Sequence, residues 1–138
     1  MPQIIIYTDG GARNNPGPAG AGAVIYEGEK KICELKKYLG EKQTNNWAEY
    51  EAVALALQEA KKRGLSKRTI DVRLDSQLVA EQLSGNYQVK EETLWPQYMK
   101  VHNLLVAHFP EHTFTYIPRE QNKEADRLVN EALDEAGA

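Results

Sequence analysis

Four acidic residues stand at positions where a carboxylate is costly unless it is used. Asp9 closes the apolar run Ile4-Ile5-Ile6-Tyr7, and Asp75 closes Val72-Arg73-Leu74. β-Branched apolar runs of this kind read as buried strands, and a carboxylate at the end of one needs a hydrogen-bond network or a cation beside it. Glu49 precedes Val53 by four residues and Ala56 by seven, so it shares the inward stripe of a helix. Asp126 precedes Val129 and Leu133 by three and seven, at the start of another such stripe. Each alone fits a plain structural role, a capped strand end or an acid favoured by the dipole of a helix's first turn. Brought together they repel one another and hold raised pKa values, a penalty that a divalent cation removes. Carboxylate ligands suit Mg²⁺ or Mn²⁺, and two such ions ~3.5–4 Å apart are the usual apparatus for cleaving a phosphodiester.

The elements that must position these acids follow from the pattern. Gln3–Thr8 reads as a first strand, ended by the stretch Gly10-Gly11-Ala12-Arg13-Asn14-Asn15-Pro16-Gly17, which predicts irregular backbone. Ala21–Tyr26 and Lys31–Leu39 read as second and third strands joined by short turns, hence an antiparallel meander, with Gly40–Gln43 breaking the pattern. Thr44-Asn45-Asn46 offers N-cap chemistry for a helix that runs to about Arg63 and stops at Gly64. Thr69–Leu74 is a fourth strand, with Ile70, Val72 and Leu74 on one face. Its helical connection predicts a parallel neighbour. Ser76–Leu83 reads as a short helix. Glu91–Phe109 reads as a longer one, with Leu94, Tyr98, Val101, Leu104, Leu105 and Ala107 as its buried side. Thr113–Ile117 is a fifth strand, and a last helix starts near Lys123. The expected fold is α/β, a mixed five-stranded sheet flanked by helices. If the first and fourth strands are neighbours, Asp9 and Asp75 reach the same sheet edge, where open α/β sheets put their sites.

Length and composition bound the answer. At 138 residues and 41% apolar, the chain predicts a single domain, 1–138, with one core. The net charge of −3 removes the argument for a broadly basic nucleic-acid surface, though a bound cation or local patch can supply the positive charge. The basic run Lys61–Arg68 lies at the far end of the first helix and reads as a solvated helix end. Cys33, the one cysteine, precludes an internal disulfide and predicts a reducing compartment, the cytoplasm. No apolar run approaches the ~20 residues of a membrane span, and no leader-like start precedes the first strand.

Five strings carry a resemblance: Tyr7-Thr8-Asp9-Gly10-Gly11, Asn15-Pro16-Gly17, Thr44-Asn45-Asn46-Trp47-Ala48-Glu49, Leu74-Asp75-Ser76-Gln77 and Asn122-Lys123-Glu124-Ala125-Asp126. Together, and in this order, they resemble ribonuclease H type 1 over nearly the whole chain. The resemblance implies a ribonuclease H-like fold and hydrolysis of the RNA strand of RNA/DNA hybrids to 5′-phosphate and 3′-hydroxyl ends, with two Mg²⁺ or Mn²⁺ ions present when substrate is bound. It implies that Asp9, Glu49, Asp75 and Asp126 are the catalytic metal-binding acids. It implies that Asn15, Asn45 and Gln77 meet the minor groove and RNA 2′-hydroxyls, that Thr44 grips a DNA-strand phosphate, and that Asn122 belongs to the substrate contacts. Amides that both donate and accept suit those groups, and the same asparagines also suit local turn and cap bonds.

The chain departs from the family pattern in its loops. Many members carry a histidine before the last acid, whereas here the loop is Pro118-Arg119-Glu120-Gln121-Asn122, where Arg119 or Glu120 can substitute, Arg119 being favoured through its charge on a phosphate. His102, His108 and His112 are read as surface or packing residues. The stretch Asn86–Trp95 has one lysine against two glutamates, not a basic protrusion, and Trp95 reads equally as core or as a platform. The chain therefore reads as a compact, monomeric form without a hybrid-binding module, whose modest affinity falls with salt. Two other readings stay open: a relative that also cleaves double-stranded RNA, and a catalytically silent hybrid-binding domain.

Overall fold

The computed structural model describes residues 2–138. Three long strands, β1 (Ile4–Ala12), β2 (Gly17–Glu27) and β3 (Lys30–Gln43), form an antiparallel meander. Two short strands, β4 (Ile70–Leu74) and β5 (His112–Tyr116), add in parallel, giving the order β3-β2-β1-β4-β5. The helices are α1 (Asn45–Lys62), α2 (Gln77–Leu83), α3 (Trp95–His108) and α4 (Lys123–Glu135).

One sheet face carries Ile4, Ile6, Ala23, Ile25, Ile70, Val72 and Leu74, all fully buried. Against it lie Tyr50, Val53 and Leu57 of α1, and then Leu94, Val101, Leu105 and Phe109 in and beside α3. The opposite face carries Gly20 and Gly22 of β2 under α4. A Cβ on Gly22 would lie 2.4 Å from the Ala125 carbonyl oxygen, so only glycine lets α4 settle this close to the sheet. Ion pairs then tie α4 to β3: Arg127 to Glu34 at 2.7 Å, and Lys36 to Glu131 at 3.2 Å.

Several boundaries differ from those the sequence predicts. The glycine-rich stretch is largely ladder: β1 runs to Ala12, which pairs with Ala19, and β2 begins at Gly17. Glycine and alanine weaken a strand in isolation, but here each has a partner across the hairpin. β3 likewise continues through Gly40–Gln43, where register shifts on β2 and a φ of +109° at Gly40 absorb the irregularity. Residues Glu92–Leu94 form a separate 3₁₀ turn before α3, and Ala107 faces solvent while Gln97 takes a buried position.

Candidate active site

The β1–β4 ladder ends at the pair Thr8–Leu74, so Asp9 and Asp75 are the next residues on adjacent parallel strands. Glu49 arrives from a helix. The Thr44 hydroxyl accepts from the Trp47 N–H at 3.2 Å and fixes the start of α1, and Gly10 allows the first turns of that helix to press onto β1. The result is a cluster in which one carboxylate oxygen from each of Asp9, Glu49 and Asp75 lies within 4.8 Å of the others.

The electrostatics follow from that packing. Burial, then the charges of Asp75 and Asp126, push the Asp9 carboxyl up to about 8. Burial, then Asp9 and Asp75, hold Glu49 well above the usual carboxylate range. Asp75 is also raised by burial, although the nearby Asn122 amide and the Arg119 charge pull it back. The Glu49 Oε2 atom is buried with no hydrogen-bond partner. A buried carboxylate oxygen without a donor, facing two further carboxylates, is the donor set a hard divalent cation requires. The three side chains fit such an ion.

Asp126 stands apart. Expected on an inward stripe, it is exposed. The buried side of α4 is Ala125, Leu128, Val129, Ala132 and Leu133, and Asp126 flanks that stripe. From there it lines the cleft of about 400 Å³ that also holds Asp9, Glu49, Asp75, Arg119 and Asn45, and its charge reaches Asp9.

Of the expected substrate contacts, Asn45 lines this cleft. Its Oδ1 accepts from the Ala12 N–H at 2.7 Å, and its own N–H donates to Asn15 Oδ1 at 3.0 Å. The two asparagines are thus coupled, and both are exposed. Gln77 is exposed at the start of α2, behind Ser76, whose hydroxyl caps that helix by accepting from the Val79 N–H at 3.3 Å. Asn122 does not face the cleft as a substrate contact must: it is 1% exposed and its Nδ2 donates to the Thr8 carbonyl at 2.8 Å. Trp95 is neither core nor free, being half exposed with its indole N–H on the Val89 carbonyl at 2.8 Å. The histidines sit away from the acids, His102 stacked on Tyr98 and His112 against the Phe109 carbonyl. Arg13, which sequence reasoning passed over, lines the cleft and is held by Asp134 at 2.8 Å. A cavity of about 470 Å³ beside Tyr7, Tyr26 and Glu120–Glu124 gathers no comparable set of unpartnered groups.

Known proteins agree with this geometry. The family described as reverse transcriptase-like matches residues 7–132. The solved structure of LC11-RNase H1, isolated from compost by a metagenomic approach, is 45% identical and superposes with a TM-score of 0.93, covering 98% of this chain and 99% of its own in the complex with an RNA/DNA hybrid. RNase H1 of Halobacterium salinarum is 37% identical with a TM-score of 0.89, covering 96% and 98%. The bifunctional protein Rv2228c of Mycobacterium tuberculosis is 39% identical over 97% of this chain and 36% of its own length. The chain therefore spans about a third (36%) of the length of the first curated relatives it matches. With the strand order, the cluster of three acids and near-complete coverage of LC11-RNase H1 in agreement, the chain belongs to the ribonuclease H type 1 family.

Proposed function

We propose that this chain is a metal-dependent endonuclease that hydrolyses the RNA strand of RNA/DNA hybrids. The carrying observation is the trio Asp9, Glu49 and Asp75, the first two buried and the third half-buried, with an orphaned oxygen on Glu49. Two of the similar proteins are named for this activity, and one was solved with such a hybrid. Pure binding of a polyanion does not call for a wall of repelling carboxylates, which argues against a silent binding domain.

Asp9, Glu49 and Asp75 would hold Mg²⁺ or Mn²⁺, with Asp126 as a ligand from the rim and two ions present once substrate is bound. Such ions neutralise the carboxylates, polarise the scissile phosphate and lower the pKa of water. The chain's own groups orient the hybrid. Asn15 and Asn45 have their Oδ1 atoms occupied by backbone donors, which leaves their amide nitrogens to donate to RNA 2′-hydroxyls. Gln77 contacts the same groove, Thr44 meets a phosphate of the DNA strand, and Arg119 meets the RNA phosphate next to the acids. Water oxygen bonds to phosphorus as the P–O3′ bond breaks, leaving a 5′-phosphate and a 3′-hydroxyl.

The test is a labelled RNA strand annealed to DNA, beside RNA/RNA and DNA/DNA duplexes, incubated with wild type and Asp75→Asn in Mg²⁺, Mn²⁺ or EDTA. Metal-dependent cutting of the hybrid RNA, absent in the variant, is expected. Cutting of RNA/RNA as well would widen the substrate class. Binding that persists in EDTA with no cutting in any metal would overturn the reading in favour of a binding domain.

A further inference from the structure

Asn122 occupies the N-cap position of α4 yet makes no side-chain cap bond to that helix. An asparagine there ordinarily accepts from the second or third helical N–H. Here the amide is turned into the protein: Nδ2 donates to the Thr8 carbonyl at 2.8 Å, one residue before Asp9 and at the last pair of the β1–β4 ladder. The same amide lies near enough to the Asp75 carboxylate to favour its charged form, and its Oδ1 is buried without a partner. The Asn122 carbonyl accepts from the Asp126 N–H at 3.1 Å, the first backbone bond of the turn that carries that acid. One residue thus bonds to β1 beside Asp9 and to the backbone of Asp126, with its amide in the neighbourhood of Asp75. It is 1% exposed, so substrate does not reach it.

We propose that Asn122 is a positioning residue, joining the end of β1 to the start of α4 beside Asp75 so that Asp9 and Asp126 keep one arrangement with Asp75 toward a cation. Ligating carboxylates point reliably only when a further hydrogen bond fixes them, and loss of such a support costs about 10–100-fold in metal affinity or activity. The inference rests on reading the acids as a metal centre.

The experiment measures Mn²⁺ binding by calorimetry for wild type, Asn122→Ala and Asn122→Ser, well below each protein's melting temperature, beside kcat and KM on a hybrid. In Asn122→Ala the Mn²⁺ Kd is expected to weaken by about 10–100-fold, with kcat falling in step and KM little changed. Asn122→Ser, whose shorter hydroxyl keeps a donor but reaches less far toward the Thr8 carbonyl, is expected to fall between the two and carries the test if the alanine variant does not fold. Raised KM with unchanged Mn²⁺ affinity would overturn the proposal in favour of substrate contact. A lowered melting temperature with both unchanged would overturn it in favour of a purely structural bond. If the wild type itself binds no Mn²⁺, the metal-centre reading is what fails. If wild type and variants bind alike, only the role of Asn122 fails.

Discussion

Gly10 and Ala48 are in backbone contact: a Cβ on Gly10 would lie 2.2 Å from the Ala48 carbonyl oxygen and 2.5 Å from the Glu49 nitrogen. The residue after the first acid therefore determines how near the second can come. Gly10→Ala must push α1 away from β1, and Glu49 moves with it. Overpacking of this kind costs about 1–3 kcal/mol, and a displacement near 1 Å at a reacting site can cost roughly 100-fold in turnover. Urea denaturation and hybrid cleavage should show both losses. Gly11→Ala, whose Cβ would meet only Asn45 Oδ1 at 3.8 Å, should leave stability near that of wild type.

The raised acids make metal-free stability depend on pH in a defined direction. The Asp9 carboxyl, at about 8 in the folded chain, keeps its proton where the unfolded chain, with a value of about 3.9, has released it. The folded state binds more protons between those values, so stability is greatest at the acid side of the window and falls as pH rises through it. Asp71, Glu124 and Glu131 have lowered values and act in the opposite sense only in stronger acid. Between about pH 5 and 8 the metal-free melting temperature should therefore fall by more than ~5 °C. Asp9→Asn should flatten the slope, and added Mg²⁺ should restore the wild type most at the alkaline end. A metal-free wild type that gains stability from pH 5 to 8 would refute this account of the site.

Much of the site was legible because it depends on local rules. A strand that ends in Asp9, a second that ends in Asp75 and a helical stripe containing Glu49 lead to one sheet edge once β1 and β4 are neighbours. What was not legible depends on angles and partners. Asp126 has apolar residues at helical spacing, but the stripe that meets the sheet is centred on Ala125, Leu128 and Ala132, about 100° away around the helix. Asn122 reads as a cap from its position, and nothing in its neighbours says that its amide turns inward to Thr8. The glycines and alanine of residues 10–17 read as loop because sequence reports their weak strand propensity and not the pairing that overrides it.

Asp71 was also hidden, on the strand face opposite Ile70, Val72 and Leu74. It is 6% exposed and accepts from Thr113 and Thr115 at 2.7 Å each, and from Arg73 at 2.9 Å. Those bonds join β4 to the edge strand β5, away from the cleft. Asp71→Ala leaves two hydroxyls and a guanidinium without their acceptor and should cost about 2–3 kcal/mol. Denaturation should register that loss, while hybrid turnover at a temperature where the variant is folded should stay at the wild-type level. A fall in turnover with no loss of stability would show that Asp71 serves the cleft instead.

Arg119 is the residue on which the loop before α4 turns. It begins the 3₁₀ turn Arg119–Gln121, lines the cleft and is exposed, and its charge favours ionised Asp75. Because it has solvent on one side and the acids on the other, its guanidinium can pair with a phosphate without losing a structural bond. Its removal should therefore spare the fold. Arg119→Ala should lower hybrid turnover several-fold with an unchanged melting temperature, in contrast to complete loss in Asp75→Asn. Arg119→Lys, which keeps the charge but not the two-pronged geometry, should recover part of the rate. Turnover in Arg119→Ala equal to that of the wild type would mean that the acids, with their ions, need no cationic residue from this loop.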